Sequence, residues 1–266
     1  MIRLGITCAL CQSTVDNSFA PGIGKRLDGW PNRDLNVGAI VALSPEIPEA
    51  LREILNGWGP GFYDPRINFD GRNTPILLPP AYGLRDVDLE TYTGEGPVSY
   101  WNAYVAVTQM HGQGSFSDPR LGVSIVATPD LVTPKLRALS EYQFSLEPPL
   151  PPAGSFNAAA AVRGRAVFTG AAQCAACHDP AASFTDVNRG RLHEPAATGM
   201  DAAYAERTTT RRYRTTPLRG VWQRPPYFHD GTAPTLVAVV DHYDRVLSLG
   251  LTPSQKADLV EYLKSL

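Results

Sequence analysis

The stretch Cys174-Ala175-Ala176-Cys177-His178 constrains this chain more than any other. Two thiols separated by two residues can form thioethers with both vinyl groups of one porphyrin, and the adjacent imidazole can ligate its iron. Zinc would need a second nearby pair of ligands, whereas Cys8 and Cys11 lie far away in sequence. A thioredoxin-like motif should lie in a βαβ pattern, but Cys174 follows an alanine-rich helical stretch. The motif therefore predicts haem c, with a redox disulfide or a zinc site as the alternatives.

The composition argues against nucleic acid and membrane partners. The net charge of −2 provides no general field for attracting nucleic acid, and no run of apolar residues is long enough for a membrane span. The 24 prolines and 23 glycines are well above the usual share, so much of the chain must be ordered loop. A loop-rich chain needs something to pack against, and a large apolar macrocycle would supply it.

Periodicity and capping signals predict the helices and the domain boundary. Helices are expected at about 48–55, 99–111, 134–146, 155–169, 201–206, 235–247 and from 252 onward, with coil over 59–97. Ser155 is a candidate helix cap, and Thr252 with Gln255 has a capping-box arrangement. The proline-rich run 148–154 is the best linker. The predicted domains are therefore 1–147 and 155–266, joined by that linker.

The order of a helix, the Cys-x-x-Cys-His motif, a long loop and C-terminal helices resembles the class I cytochrome c fold. Gly164 and Phe168 match the pattern by which the helix before the motif crosses the last helix, with Tyr262 as the expected partner. A glycine allows the helices to approach closely, and an aromatic ring fills the crossing. The predicted fold class is mainly α, with two cytochrome-c-like helical haem domains, rich in loops, of which the first is incomplete.

Two more stretches, Tyr213–Trp222 and Pro226–Gly231, resemble the C-terminal half of bacterial dihaem cytochrome c peroxidases and the related MauG enzymes. The resemblance covers about 155–266. It implies a periplasmic protein of two halves, with one haem in each and electrons passing between them. It also implies a leader sequence, for which Met1–Leu4 leave no room before Cys8.

The first half departs from this pattern at Cys8-Ala9-Leu10-Cys11-Gln12, which occupies the place of the family's first haem motif. Gln12 replaces the histidine, and the region of the family's second histidine offers only Lys25. Glutamine is a poor iron ligand beside imidazole. Two interpretations stay open: Cys8 and Cys11 hold a second haem, or they are a vestigial pair, free or disulfide-bonded. Whether Gln12 is natural or introduced is also open.

The resemblance assigns haem-binding roles to residues of the second half. His178 is the expected proximal iron ligand, and Tyr243 is the expected sixth ligand by family register, although it also fits an apolar helix stripe. The other candidates for the sixth position are Met200, His193, His229 and His242. His229 is alternatively expected to orient the haem edge. The candidates for pairing with a haem propionate are Arg219, Arg214 and Arg224.

These features predict a haem c-binding electron-transfer protein whose redox partner is a small cytochrome or a cupredoxin. The alternative is a cytochrome c peroxidase that reduces hydrogen peroxide, which needs an open coordination position and an acid or base near the peroxide. Trp101, Gln109, Met110, His111 and Gln113 form the richest polar and aromatic cluster of the first half. They either serve a haem there or satisfy a helix end, and no catalytic residue is assigned.

Overall fold

The computed structural model describes residues 6–266, which form two compact units. The first unit contains the chain up to Leu84 together with Val98–Leu146, and the second contains Arg85–Pro97 and Glu147–Leu266. The segment 85–97 thus packs with the second unit, an arrangement that a single division near 147 does not anticipate. Residues 1–5, on which the expectation about a leader rests, lie outside the described residues.

The described residues are rich in helix. The helices are α1 (Val37–Ala42), α2 (Glu49–Asn56), α3 (Ile67–Asp70), α4 (Val98–Tyr104), α5 (Thr133–Phe144), α6 (Ala158–Thr169), α7 (Pro195–Thr198), α8 (Leu236–Val246) and α9 (Pro253–Lys264). Short antiparallel pairs join β1 (Ser13–Val15) to β2 (Arg26–Asp28), β3 (Phe62–Tyr63) to β4 (Ile76–Leu77), and β5 (Phe116–Asp118) to β6 (Val123–Ile125). In these pairs Ser13 lies opposite Asp28, Phe62 opposite Leu77, and Phe116 opposite Ile125. The helix-rich architecture is the one expected of a cytochrome c fold.

Helices α2, α5, α6, α8 and α9 form within a few residues of their predicted bounds, whereas α4 begins as predicted but ends at Tyr104, short of the predicted end at residue 111. The expectation of a helix at 201–206 is wrong, because only a 3-10 turn forms, at Ala205–Arg207. The apolar run after residue 36 is an unexpected helix, α1, capped by the side chain of Asn36, which accepts a hydrogen bond from the Ala39 N–H. The expectation of coil over 59–97 misses β3, α3 and β4, which are too short to produce a visible period.

The first unit has an aromatic core next to α4. The rings of Trp101 and Tyr104 are 5.5 Å apart, and the ring of Phe116 lies 5.5 Å from that of Tyr104. The buried hydroxyl of Tyr104 donates a hydrogen bond of 2.6 Å to the Pro65 carbonyl. α4 continues as a π-helical turn, Val105–Gln109. Gln109 ends this turn, and His111 and Gln113 of the cluster named in the sequence analysis follow it.

Two of those polar side chains hydrogen-bond to the protein. The Gln109 amide oxygen accepts from the hydroxyl of Tyr63, and the Gln113 amide donates to the Pro129 carbonyl at 3.1 Å. His111 is exposed and has a left-handed backbone, with φ of 52°. These contacts are what the simpler interpretation, a helix end satisfied by nearby side chains, expects.

The second unit is built around the crossing of α6 and α9. A Cβ atom at Gly164 would collide with the backbone carbonyl oxygen of Asp258, so only glycine permits this approach. The rings of Phe168 and Tyr262 meet edge to face with centroids 5.2 Å apart, as the sequence pattern predicts. Arg163 donates two hydrogen bonds, of 2.8 and 2.6 Å, to the Asp258 carboxylate. This crossing fixes the helix that leads into the haem motif.

The N-terminal caps of α6 and α9 can be compared with the caps predicted from the sequence. The capping box of α9 is confirmed, since the side chains of Thr252 and Gln255 each bond to the other's backbone N–H. The expectation that Ser155 caps α6 is wrong. Asn157 caps the helix instead, with its side chain oxygen accepting from the Ala160 N–H at 3.0 Å.

Candidate haem site

The Cys-x-x-Cys-His motif folds into a 3-10 turn shortly after α6. The backbone N–H groups of Cys177 and His178 both donate to the carbonyl of Cys174, at 3.3 and 2.8 Å. Cys174 packs against the apolar core of the second unit, and burial raises the pKa of its thiol to about 11. The turn therefore gathers two thiols and one imidazole in a compact stretch beside an apolar core.

His178 is held in the form that binds metals. Its Nδ1 lies 3.0 Å from the carbonyl oxygen of Phe184. Because a carbonyl can only accept, Nδ1 carries the proton and the lone pair is on Nε2. Burial lowers the pKa of the imidazole to about 4, so the ring is neutral near pH 7. The side chain thus presents Nε2 with a fixed tautomer.

A buried carboxylate lies next to this turn, which sequence reasoning missed. Asp186 has no exposed surface, and its Oδ2 is 3.0 Å from Nε2 of His193. His193 is fixed by two backbone hydrogen bonds with Tyr213, of 2.7 and 2.8 Å. One ligand atom each of Cys177, Asp186 and His193 lies within 4.8 Å of the others. No recognisable motif connects the three residues, so only folding reveals them as a cluster.

Tyr243, on α8, lies near both cysteines of the motif. Burial raises the pKa of its hydroxyl to about 12, and the negative charge of the Cys174 and Cys177 thiolates adds to the effect. Its ring contacts those of Phe228 and His242, with centroids 5.9 and 5.2 Å away. Among the residues that the structure describes, its hydroxyl makes no hydrogen bond. The side chain is partly buried and has a hydroxyl near the motif that is available for a ligand.

The three histidines proposed as alternative ligands use Nε2 for protein contacts. Nε2 of His193 faces Asp186, as described above. In His229, which is buried, Nε2 lies 3.0 Å from the Tyr213 hydroxyl, and burial lowers the pKa of the ring. Nε2 of His242 lies 2.8 Å from the Thr198 carbonyl, and the ring packs on that of Phe228 at 4.8 Å.

Met200, the remaining candidate, lines a cavity of about 560 Å³ together with Phe228 and His242. The residues that line this cavity do not include Cys174, Cys177 or His178.

The candidate propionate-binding arginines differ in their surroundings. The Arg214 side chain is buried and lies 3.0 Å from the Glu90 carboxylate, and it also donates to the Leu89 carbonyl at 2.6 Å. Burial raises the pKa of Glu90 and the Arg214 charge opposes the rise. Arg224 is buried and donates to the Pro217 carbonyl, whereas Arg219 is exposed. A propionate role for Arg219 stays a prediction.

The first motif has the same local hydrogen-bond pattern as the second. The N–H groups of Cys11 and Gln12 both donate to the carbonyl of Cys8, at 3.3 and 3.1 Å. The Gln12 carbonyl accepts from the Gly29 N–H at 2.9 Å. Both thiols are free, and burial raises the pKa of Cys11 to about 11. The turn of a haem motif is therefore present without its histidine.

Comparisons with known proteins find cytochrome c-like relatives of this chain. Residues 212–248, which include α8, match a family model described as RoxA-like, cytochrome c-like. Methylamine utilization protein MauG of Methylorubrum extorquens is 33% identical over 129 residues, covering 40% of this chain and 34% of that protein. The chain is therefore similar to MauG and to cytochrome c-like proteins, and the resemblance predicted from the sequence is confirmed to that extent. These similarities support a protein that binds haem c.

The chain spans about one third of the length of that MauG, as the 34% coverage shows. Among solved structures, Kuenenia stuttgartiensis hydrazine synthase aligns with a TM-score of 0.50 at 21% identity, covering 73% of each chain. A MauG-like protein associated with microbial copper homeostasis aligns with a TM-score of 0.49 at 20% identity, covering 73% of this chain and 74% of that one. The first of these likenesses bears on the fold alone.

The donor set of the motif fits haem c. The two thiols are separated by the spacing that thioether attachment needs, and the adjacent imidazole is neutral with Nε2 available. Phe184 was not anticipated as the partner of His178, because it acts through its backbone carbonyl and any residue could supply that group. The apolar core against Cys174 would shield one side of the macrocycle from water.

Proposed function

We propose that this chain is a MauG-like c-type cytochrome, a periplasmic electron-transfer protein that uses a haem c held by Cys174, Cys177 and His178. The hydrogen bond from His178 Nδ1 to the Phe184 carbonyl carries the proposal, because it fixes the ring in the metal-binding tautomer. The haem supplies a one-electron iron couple when bound. The protein's own residues attach it, orient the imidazole and keep the ring neutral.

Tyr243 is the proposed sixth iron ligand. Its nearness to both motif cysteines and its free hydroxyl support this role, while the histidine alternatives use Nε2 elsewhere. Since the pKa of this hydroxyl is raised, ligation must displace a proton that the buried oxygen holds firmly. A tyrosinate ligand stabilises ferric iron and so favours a low reduction potential.

Substituting Tyr243→Phe tests that ligand. We expect a changed visible spectrum of the oxidised protein and a higher reduction potential. Tyr262→Phe is the matched control, because Tyr262 is another tyrosine of the second unit but lies at the helix crossing. An unchanged spectrum in Tyr243→Phe, or an equal change in the control, contradicts the assignment.

The number of haems is tested on the intact protein matured with the haem-attachment machinery. A pyridine haemochrome spectrum and the protein mass should show one covalent haem per chain, at Cys174 and Cys177. A second haem would require the first unit to be a working cytochrome domain despite Gln12. A chain without covalent haem, or one that a small reduced cytochrome or cupredoxin cannot reduce, contradicts the electron-transfer proposal.

The periplasmic location is proposed from the family and from the chemistry of haem attachment. No helix within 6–266 is long and apolar enough to cross a membrane. The peroxidase alternative gains no support from the first unit, where Gln109 and Gln113 bond to protein groups. Peroxide turnover faster than that of free haem would revive it.

A further inference from the structure

We propose that Cys177, Asp186 and His193 form a zinc-binding site in the chain before haem is attached. Each contributes one ligand atom, and the three atoms lie within 4.8 Å of one another. Thiolate, carboxylate and imidazole are ligand types that Zn²⁺ takes in proteins, and three protein ligands leave a position for water. The inference concerns the haem-free chain, so its test is independent of the proposed function, which is tested on the protein with haem attached.

The spacing of the cluster is close to that of a coordinated ion. Oxygen and nitrogen ligands at zinc distances of ~2.0–2.2 Å around a tetrahedral ion lie roughly 3.4 Å apart. The separation of Asp186 Oδ2 and His193 Nε2 is 3.0 Å. Only small side-chain movements would be needed for these two ligands, and a larger one, on the order of 1 Å, for the Cys177 sulfur.

The Asp186 carboxylate provides a second, independent indication of a cation. It has no exposed surface, and its Oδ2 faces His193, but within 6–266 its Oδ1 has no hydrogen-bond partner. A buried carboxylate oxygen without a partner is costly, because it has lost its water and gained nothing in return. A cation bound to this carboxylate, through one oxygen or both, would compensate its buried charge.

The three ligands come from segments that the backbone holds separately. Cys177 caps the end of the 3-10 turn Cys174–Ala176, and His193 is anchored by its paired backbone hydrogen bonds with Tyr213. Thr185, the neighbour of Asp186, donates its hydroxyl to the Thr215 carbonyl at 2.6 Å. A cluster fixed in this way loses little conformational freedom when it binds an ion.

Zinc binding and haem attachment would be mutually exclusive. The zinc–sulfur bond forms as the Cys177 thiol releases its proton to solvent, and no electron is transferred. Attachment of haem converts the same sulfur to a thioether, which is a much weaker zinc ligand than a thiolate. The site therefore belongs to the precursor, where a bound zinc ion would delay attachment.

The experiment uses the full chain made without the haem-attachment machinery, with reduced thiols and with Zn²⁺ alone as the probe. The substitutions C8S and C11S form a common background, so that the first motif cannot bind the metal. Affinity is measured by competition with a chromophoric chelator. Cobalt(II) replacement should also show a sulfur-to-metal charge-transfer band.

We expect one zinc ion per chain. Loss of any direct ligand, in C177S, D186N or H193A, should weaken binding by more than the roughly 10- to 100-fold that an outer-shell change costs. C174S and H242A are the matched controls and should bind as the background does, because Cys174 and His242 lie outside the cluster. If C174S weakens binding as much as C177S, a simple dithiolate holds the metal and the proposal is wrong.

A second measurement needs no substitution in the cluster. Zinc should slow alkylation of Cys177 more than that of Cys174, as followed by mass spectrometry. Equal slowing of both cysteines would overturn the proposal. Failure of the haem-free chain to bind zinc would also overturn the proposal. This holds whether far-UV circular dichroism shows the chain to be helical or not, because the site is proposed for the haem-free state.

Discussion

Substituting Gly164→Ala should destabilise the haem unit, although alanine is the better helix former. The new Cβ would collide with the carbonyl oxygen of Asp258 and approach the Cβ of Tyr262 to 2.8 Å. Overpacking costs about 1–3 kcal/mol, and the upper end applies because a backbone atom cannot rotate away. Helix propensity returns about 1 kcal/mol. The expected net loss is about 2 kcal/mol of unfolding free energy.

Urea unfolding followed by the haem absorbance measures this loss in the second unit alone. With a slope of roughly 1–3 kcal/mol per molar urea, the midpoint should fall by about 1 M. Ala166→Gly is the control, since Ala166 is exposed on the same helix and reports propensity without a clash. It should cost about 1 kcal/mol. A Gly164→Ala protein as stable as the parent, or more stable, would refute the close-crossing explanation.

Three further predictions follow from individual contacts. Arg163→Ala should lower the urea midpoint much less than Gly164→Ala does, because the Arg163 side chain is 61% exposed despite its paired hydrogen bonds with Asp258; an equal or larger drop would contradict this. Burial lowers the pKa of His178 to about 4 in the folded haem-free chain, so the unfolded chain binds a proton first on acidification. Its unfolding free energy should fall between pH 6.5 and 4 by at most about 3 kcal/mol more than that of His178→Gln, and parallel profiles would contradict the shift. Gln12→His should raise the covalent haem count by one, as mass spectrometry would show, because the turn at Cys8 already has the required hydrogen bonds; an unchanged count would mark the pair as vestigial.

Features determined by a few neighbouring residues could be predicted from the sequence. The haem motif, the capping box at Thr252 and the crossing through Gly164 and Phe168 each depend on a fixed local spacing. Local spacing decides these features because a turn or a helical period sets the relative positions of the side chains. The haem cofactor and the helix-rich class followed from these signals.

Tertiary structure decided which groups contact the Cys-x-x-Cys-His motif. The partner of His178 is a backbone carbonyl, which leaves no trace in residue identity. The pairing of Asp186 with His193 and the packing of 85–97 with the second unit depend on loops whose paths follow no period. Strands of two or three residues likewise owe their existence to their partners. The sequence by itself thus specified which cofactor this protein binds, while only the folded chain, through burial and long-range hydrogen bonds, set the environment of its ligands.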